Sequence, residues 1–255
     1  MLIGKLKTNL GKSAHGGQTL YCHLIDCARV AHRIVTDHRF ALGDYPKQKS
    51  DQLLFSTFIH DIGKLDPGFQ DMLAAARDKQ PLPPKRVKHE ASTLDFEQLL
   101  RESEDEIKTH LGDALGYRFT ESIDIDDALA FALGHHGLFH LSFEARNEGV
   151  LRRVRRDTTV FGYGEQRRIT LTDLLFEYHP LGGLVMISDL LASFCFEQRL
   201  GTAEDIIQRV QTFRELIALV ARDGTADKVE ESIKRYDPRT YGLRELLTLL
   251  AGGLA

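Results

Sequence analysis

Residues 51–65 have the sequence DQLLFSTFIHDIGKL, and the spacing of their apolar side chains predicts a buried helix. Asp51 is a plausible cap at its start, and we expect the helix to end at Gly63. His60 and Asp61 directly follow an apolar pair near the end of this helix. Imidazole and carboxylate groups are ligand types that transition metals favour, so this end of the helix is the first candidate for a functional site.

Helical patterns continue on both sides of this stretch. Apolar residues recur at spacings of three and four over residues 18–35, and Pro67 fits the first turn of a short helix. Asp124 or Asp126 is placed to cap a helix that leads towards His135. Residues 181–200 are apolar on almost every side, which predicts a central, buried helix.

Weaker signals complete this organisation. Prolines mark a loop at residues 81–88, and a helix should follow from about His89. Thr202 and Asp205 resemble a capping box for a helix that runs to about residue 220, and a last helix is expected from about residue 239. We therefore predict one all-α domain over residues 1–255, with its core at about residues 11–200 and C-terminal helices at 201–255.

The composition is that of a globular chain. Its 255 residues are 42% hydrophobic and 27% charged, and the formal net charge of −4 argues against coating nucleic acid with the whole surface. No apolar run approaches the roughly 20 residues that span a bilayer. The three cysteines form no CxxC pair, so we expect reduced thiols in a cytoplasmic protein, and apolar surroundings argue against a cysteine nucleophile.

One region departs from the helical pattern. Residues 152–168 combine arginines with β-favouring residues and a Gly-Tyr-Gly turn, which indicates a loop or β-hairpin. Clustered cations beside aromatic side chains suit single-stranded nucleic acid, although docking to a partner protein fits the same pattern. The candidate nucleic-acid-binding residues are Arg152, Arg153, Arg155, Arg156, Arg167, Arg168, Lys85 and Arg86.

Histidines and aspartates recur where helices should turn inward. His23 lies on the apolar face of its helix, whereas His32 should face solvent. Asp189 lies in the apolar stretch 181–200, where an isolated carboxylate costs several kcal/mol unless it is paired, protonated or bound to a cation. A capping or arginine-paired role would explain Asp189 alone, but a metal site explains the inward histidines and aspartates together.

These residues carry a resemblance. His23, the string His60-Asp61-Ile62-Gly63-Lys64 and Asp189 are similar to the H…HD…D signature of the HD phosphohydrolase superfamily. His89, the pair His135–His136 and the segments GKSAHGGQTLYCHLIDCA, KHEAS and SDLLAS resemble a narrower group, the HD nucleases of type I CRISPR interference systems. In that family the nuclease is usually fused to a helicase and is sometimes a separate chain.

The resemblance implies an HD-domain helical bundle with two metal ions, one on each side of Asp61. The first ion would be held by His23, His60, Asp61 and Asp189, and the second by Asp61, His89, His135 and His136. Such a mixed nitrogen and oxygen site favours manganese, nickel, cobalt or iron over magnesium. Catalytic roles would fall to Asp61 and to Lys64, which matches the lysine of an HDxxK motif and would contact substrate phosphate or transition-state charge.

The family further implies hydrolysis of single-stranded DNA by a metal-activated hydroxide, with RNA left open as a substrate. Its partners would be a separately encoded helicase subunit and an RNA-guided targeting complex, and no association with a membrane is expected. An HD-type cyclic-dinucleotide phosphodiesterase remains an alternative, although Gly137 and Gly164 depart from its HHE and GYP motifs. A nucleotide phosphohydrolase and a non-catalytic module are further alternatives.

Overall fold

The computed structural model describes residues 1–37, 47–87, 89–134, 182–199 and 201–209. Its helices are α1 (Leu2–Thr8), α2 (Leu20–Thr36), α3 (Lys47–Ile59), α4 (Pro67–Arg77), α5 (His89–Ser92), α6 (Glu97–Glu102), α7 (Glu104–Leu115), α8 (Ile125–Gly134), α9 (Gly182–Glu197) and α10 (Ala203–Arg209). Short 3-10 turns at Ala14–Gly16, Ile62–Leu65 and Thr93–Phe96 connect some of them, and β1 (Leu10–Lys12) pairs with β2 (Gln18–Thr19) in an antiparallel ribbon. The all-α prediction is confirmed.

Helix α2 is the centre of the described structure. It packs against α3, α9 and α10, and the ribbon lies against its first turns. Thr19 caps it, because the Thr19 hydroxyl accepts a hydrogen bond of 3.2 Å from the Cys22 amide. Buried Leu20 and Leu24 join Phe55 and Phe58 of α3 in the main core. The helix expected over residues 18–35 is therefore present, whereas the two-stranded ribbon before it was not predicted.

The helix expected over residues 51–63 differs at both ends. It begins at Lys47, so the prediction that Asp51 caps it is wrong, and it ends at Ile59 rather than Gly63. Asp51 is buried inside α3, and its carboxylate accepts hydrogen bonds from the Tyr117 hydroxyl and from two backbone amides of the loop after α7. A distant loop therefore satisfies this carboxylate, which a local pattern of residues does not reveal.

Several capping predictions are confirmed. Asp124 accepts a hydrogen bond of 3.0 Å from the Asp127 amide at the start of α8. Thr202 and Asp205 form reciprocal hydrogen bonds at the start of α10. Pro67 is the first residue of α4. The helix expected from His89 is instead three short pieces, namely α5, a 3-10 turn and α6.

The predictions for the Arg-rich region at residues 152–168, for the helix beyond Arg209 and for the last helix lie outside the described residues. Within the described part of the chain, no helix combines the length and apolarity needed to cross a membrane.

Candidate metal centre

The site lies where α2, the end of α3, α5 and α9 meet. His23 is fully buried on α2, and the ribbon packs so closely there that a Cβ on Gly11 would lie 3.2 Å from the Cβ of His23 and 2.9 Å from the Cα of Leu20. His60 and Asp61 follow the last residue of α3, and each is 1% exposed. The end of one helix thus presents two polar side chains to the face of another.

A backbone contact orients the ring of His60. Its Nδ1 lies 2.7 Å from the Thr57 carbonyl, which only accepts hydrogen bonds, so Nδ1 carries the proton. In the neutral ring Nε2 then offers a lone pair, and it faces Asp61 Oδ2 at 3.5 Å and Asp189 Oδ1 at 4.0 Å. A lone pair that faces carboxylate oxygens is the arrangement expected around a cation, and metal-binding histidines commonly donate their other nitrogen in this way.

Asp61 faces different histidines with its two oxygens. Its Oδ1 lies 3.0 Å from His89 Nε2, whereas its Oδ2 lies 3.2 Å from His23 Nε2. Lys64 Nζ also donates to Oδ2 and to the Gly11 carbonyl. Asp61 therefore connects the α2 side of the site with the α5 side.

Asp189 closes the site from α9. Its Oδ1 lies 3.1 Å from His23 Nε2, 3.0 Å from the Ser193 hydroxyl and 3.8 Å from Lys12 Nζ. Burial alone would raise the pKa of Asp189, but Lys12, with further contributions from His23 and His60, holds that pKa well below its usual range. The side chains of Lys12 and Asp189 are 21% and 18% exposed, so the site meets solvent on this side.

Sequence reasoning missed two residues of this site. Lys12 ends β1, and burial would lower its pKa, but Asp189 and Asp61 raise that pKa above its ordinary value. Cys27 Sγ lies 3.8 Å from both ring nitrogens of His23. Burial, and secondarily Asp189, raises the pKa of the Cys27 thiol well above its ordinary value. Cys27 lies one helical turn after His23, which is a signal that the sequence does contain, whereas no local pattern marks Lys12.

The structure thus brings together five of the seven residues expected to hold metal, namely His23, His60, Asp61, His89 and Asp189, and places Lys64 beside Asp61. His135 and His136 lie outside the described residues, as do the six arginines of the Arg-rich region. Lys85 and Arg86 are exposed in the loop before α5. His32, expected to face solvent, is half-buried, with its ring centroid 5.5 Å from that of Tyr117.

The donor set fits divalent metal ions, because imidazole nitrogens and carboxylate oxygens converge within one buried site. A helical fold that gathers the adjacent His60 and Asp61 with further histidines and a second aspartate is typical of metal-binding domains of the HD class. The sequence model of the family described as Cas3, HD domain matches residues 4–195, so the chain belongs to the Cas3 HD domain family. Membership implies a metal-dependent nuclease or phosphohydrolase role in CRISPR systems. Searches of curated proteins and of solved structures found no match.

Proposed function

We propose that this protein is a two-metal nuclease that hydrolyses phosphodiester bonds of single-stranded DNA during CRISPR interference. The observation that carries the proposal is the division of Asp61, whose Oδ1 faces His89 while Oδ2 faces His23. A carboxylate placed between two sets of histidines is suited to bridge two ions. Manganese, nickel, cobalt or iron suits these nitrogen-rich ligands better than magnesium.

The described residues supply part of each ligand set that the resemblance implies. His23, His60 and Asp189 would hold one ion with Asp61, and His89 would hold the other with Asp61 and with His135 and His136. Bound metals would supply Lewis acidity towards a phosphodiester and would acidify water. Thr57 fixes the Nε2 atom of His60 towards the site, and Ser193 holds the Asp189 carboxylate.

The lysines would balance charge around the reacting phosphate. Lys64 is buried against Asp61, so its ammonium is placed to stabilise negative charge beside the bridging carboxylate. The more exposed Lys12 marks the side from which an anionic strand would approach. Lys85 and Arg86, together with the arginines of residues 152–168, would bind the backbone of that strand without reading its sequence.

The proposal includes the setting of the reaction. The chain would form one HD domain over residues 1–255 and act in the cytoplasm as a separate nuclease subunit. A separately encoded helicase would deliver unwound DNA, and an RNA-guided targeting complex would supply the choice of sequence.

The test is a paired assay on metal-loaded protein, with circular single-stranded DNA and a cyclic dinucleotide as substrates and with manganese, nickel or magnesium. We expect the wild type to cut the circle and Asp61→Ala to be inactive, because both ions lose a shared ligand. Asp71→Ala is the matched control, since Asp71 is exposed on α4, and it should cut normally. Turnover of the cyclic dinucleotide alone would show a signalling phosphodiesterase and overturn the nuclease proposal.

A further inference from the structure

Two lysines lie beside the candidate metal centre, and their ammonium groups have different surroundings. Lys64 is buried, and its Nζ donates to the Asp61 carboxylate and to the Gly11 carbonyl. The Lys12 side chain is 21% exposed, and its Nζ lies 3.8 Å from Asp189 Oδ1, which is beyond hydrogen-bonding distance. Within the described residues, the Lys12 ammonium therefore keeps its donors for a ligand that enters from solvent, whereas Lys64 uses its donors inside the protein.

The position of Lys12 suits a phosphate that binds at the metal centre. Asp189 Oδ1 lies 3.8 Å from Lys12 Nζ and 3.1 Å from His23 Nε2, so the ammonium lies next to the metal-binding side chains on the side that meets solvent. One non-bridging oxygen of a phosphodiester can approach a metal ion while the other accepts a charge-assisted hydrogen bond from an ammonium group. Because an ammonium is a compact charge, it binds phosphate without reading the base.

The ribbon that carries Lys12 is anchored to α4 through its first strand. Gln70 of α4 accepts a hydrogen bond of 2.7 Å from the Leu10 amide and donates one of 2.9 Å to the Leu10 carbonyl. The same Gln70 amide donates to the Lys64 carbonyl at 2.6 Å. One side chain therefore fastens the ribbon to the turn that follows Asp61.

A second anchor joins the ribbon to the end of α9. His15 lies in the turn between the two strands, where its Nε2 donates to the Glu197 carbonyl at 2.7 Å and its Nδ1 accepts from Arg199 Nε at 3.1 Å. His15 and Arg199 have φ values of 52° and 55°, which are uncommon for residues other than glycine. Such strained conformations persist where surrounding contacts hold them, and they cluster at functional sites. Because α9 also carries Asp189, this anchor holds Lys12 beside that carboxylate.

We propose that Lys12 is a catalytic residue whose ammonium donates a hydrogen bond to a non-bridging oxygen of the reacting phosphodiester. The inference rests on the proposed function, since it requires a phosphodiester substrate at this metal centre. Hydrolysis adds water across the P–O bond that breaks, and Lys12 transfers no proton in this step. Its fixed positive charge stabilises the negative charge on the phosphoryl oxygens, which is greatest in the transition state.

The experiment compares Lys12→Met and Lys12→Arg with Lys5→Met, which removes an exposed lysine of α1. The manganese-loaded full chain is assayed with single-stranded DNA and with a small chromogenic diester, thymidine 5′-p-nitrophenyl phosphate. We expect Lys12→Met to lower kcat/KM about 100-fold on both substrates, mainly through kcat, because loss of one donor to a developing oxyanion costs about 10²–10³-fold. Lys12→Arg keeps the charge and should retain more activity, and Lys5→Met should match the wild type.

Two binding measurements separate a substrate contact from a structural role. Calorimetric titration with thymidine 5′-monophosphate should show an affinity about tenfold lower for metal-loaded Lys12→Met than for the wild type, as expected for loss of a hydrogen bond to a charged group. Manganese affinity should not fall, because the variant removes a cation that competes with the metal ion for Asp189. A lysine that merely held Asp189 in place would instead lose manganese affinity on substitution. Circular dichroism checks folding, and Lys12→Gln replaces Lys12→Met if the latter does not fold.

The outcomes distinguish failure of this inference from failure of the proposed function. Equal kcat of Lys12→Met and the wild type on the small diester would overturn the inference even if DNA cleavage fell, because the contact would then lie away from the reacting phosphate. A loss of manganese affinity parallel to the loss of activity would overturn it as well. Hydrolysis of the small diester without cleavage of DNA would refute the nuclease proposal, while the small diester would still test Lys12. A wild type that hydrolyses neither substrate would refute both.

Discussion

Two buried aspartates, Asp51 and Asp61, lie in and just after the same helix and have opposite surroundings. Asp51 is 0% exposed, and its carboxylate accepts from the Tyr117 hydroxyl and from the Thr120 and Glu121 amides, the latter two at 2.8 Å. Asp61 is 1% exposed and faces histidine nitrogens and the Lys64 ammonium.

The difference shows how a buried carboxylate reveals its role. Neutral donors surround Asp51 and fix the loop after α7, so its charge serves the fold. A neutral imidazole has one N–H, and His60 donates its N–H to the Thr57 carbonyl, so the Nε2 lone pair that faces Asp61 calls for a proton or a shared cation between the two groups. The surroundings of Asp61 therefore indicate a site for positive ions, whereas equal burial alone indicates nothing about function.

The same substitution at both positions should separate these roles and gives the largest effects. Asp61→Asn should reduce DNA cleavage about 10³-fold or more, since metal catalysis contributes several kcal/mol. It should also remove most of the metal-induced stabilisation, which is about 2.7 kcal/mol at about 100 times Kd. Asp51→Asn should instead lower the free energy of unfolding by about 2–4 kcal/mol, because charge-assisted hydrogen bonds to the loop are lost.

Urea unfolding with and without manganese measures both quantities, with Asp71→Asn as the exposed control. Asp51→Asn should keep its metal-induced stabilisation and Asp71→Asn should change neither value. Equal metal-induced stabilisation in Asp61→Asn and the wild type would contradict a metal-binding role for Asp61.

The approach of α5 to the turn after α3 gives the next largest effect. A Cβ on Gly63 would lie 1.8 Å from the His89 carbonyl oxygen, so in Gly63→Ala either α5 or the turn after α3 must move, which disturbs the contact between His89 and Asp61. Displacement of a positioning group by about 1 Å can cost about 100-fold in rate, and we expect a loss of cleavage of that order. Gly4→Ala is the control, because a Cβ there would meet nothing within 4 Å. Full activity of Gly63→Ala would show that His89 is not needed where the structure places it.

The sequence predicted those parts of the site that depend on residue type and helical position. His60 and Asp61 follow an apolar helix, and Asp189 lies in another, so their place in the site could be foreseen from local pattern. The start of α3 could not be foreseen in this way. In the sequence Asp51 resembles a helix cap, and only its contact with the loop around Tyr117 shows that it has another role. Lys12 was missed for the same reason, since its contact with Asp189 joins a ribbon to a helix far along the chain.

The smallest expected effect concerns a third aspartate, Asp66, which combines a structural role like that of Asp51 with a contact to the helix that carries a site residue. Its Oδ1 caps α4 by accepting from the Phe69 amide at 3.1 Å, and its Oδ2 accepts from the Ser92 hydroxyl of α5 at 3.1 Å. Loss of a cap costs about 1 kcal/mol, so Asp66→Ala should lower stability by about that amount. Because α5 also carries His89, cleavage should fall as well, but less than in Gly63→Ala, which displaces the backbone directly.

Asp66→Asn retains a capping oxygen and should recover most of the stability in urea unfolding. If Asp66→Ala instead left stability unchanged and abolished cleavage, Asp66 would belong with Asp61 as a functional carboxylate rather than between it and Asp51.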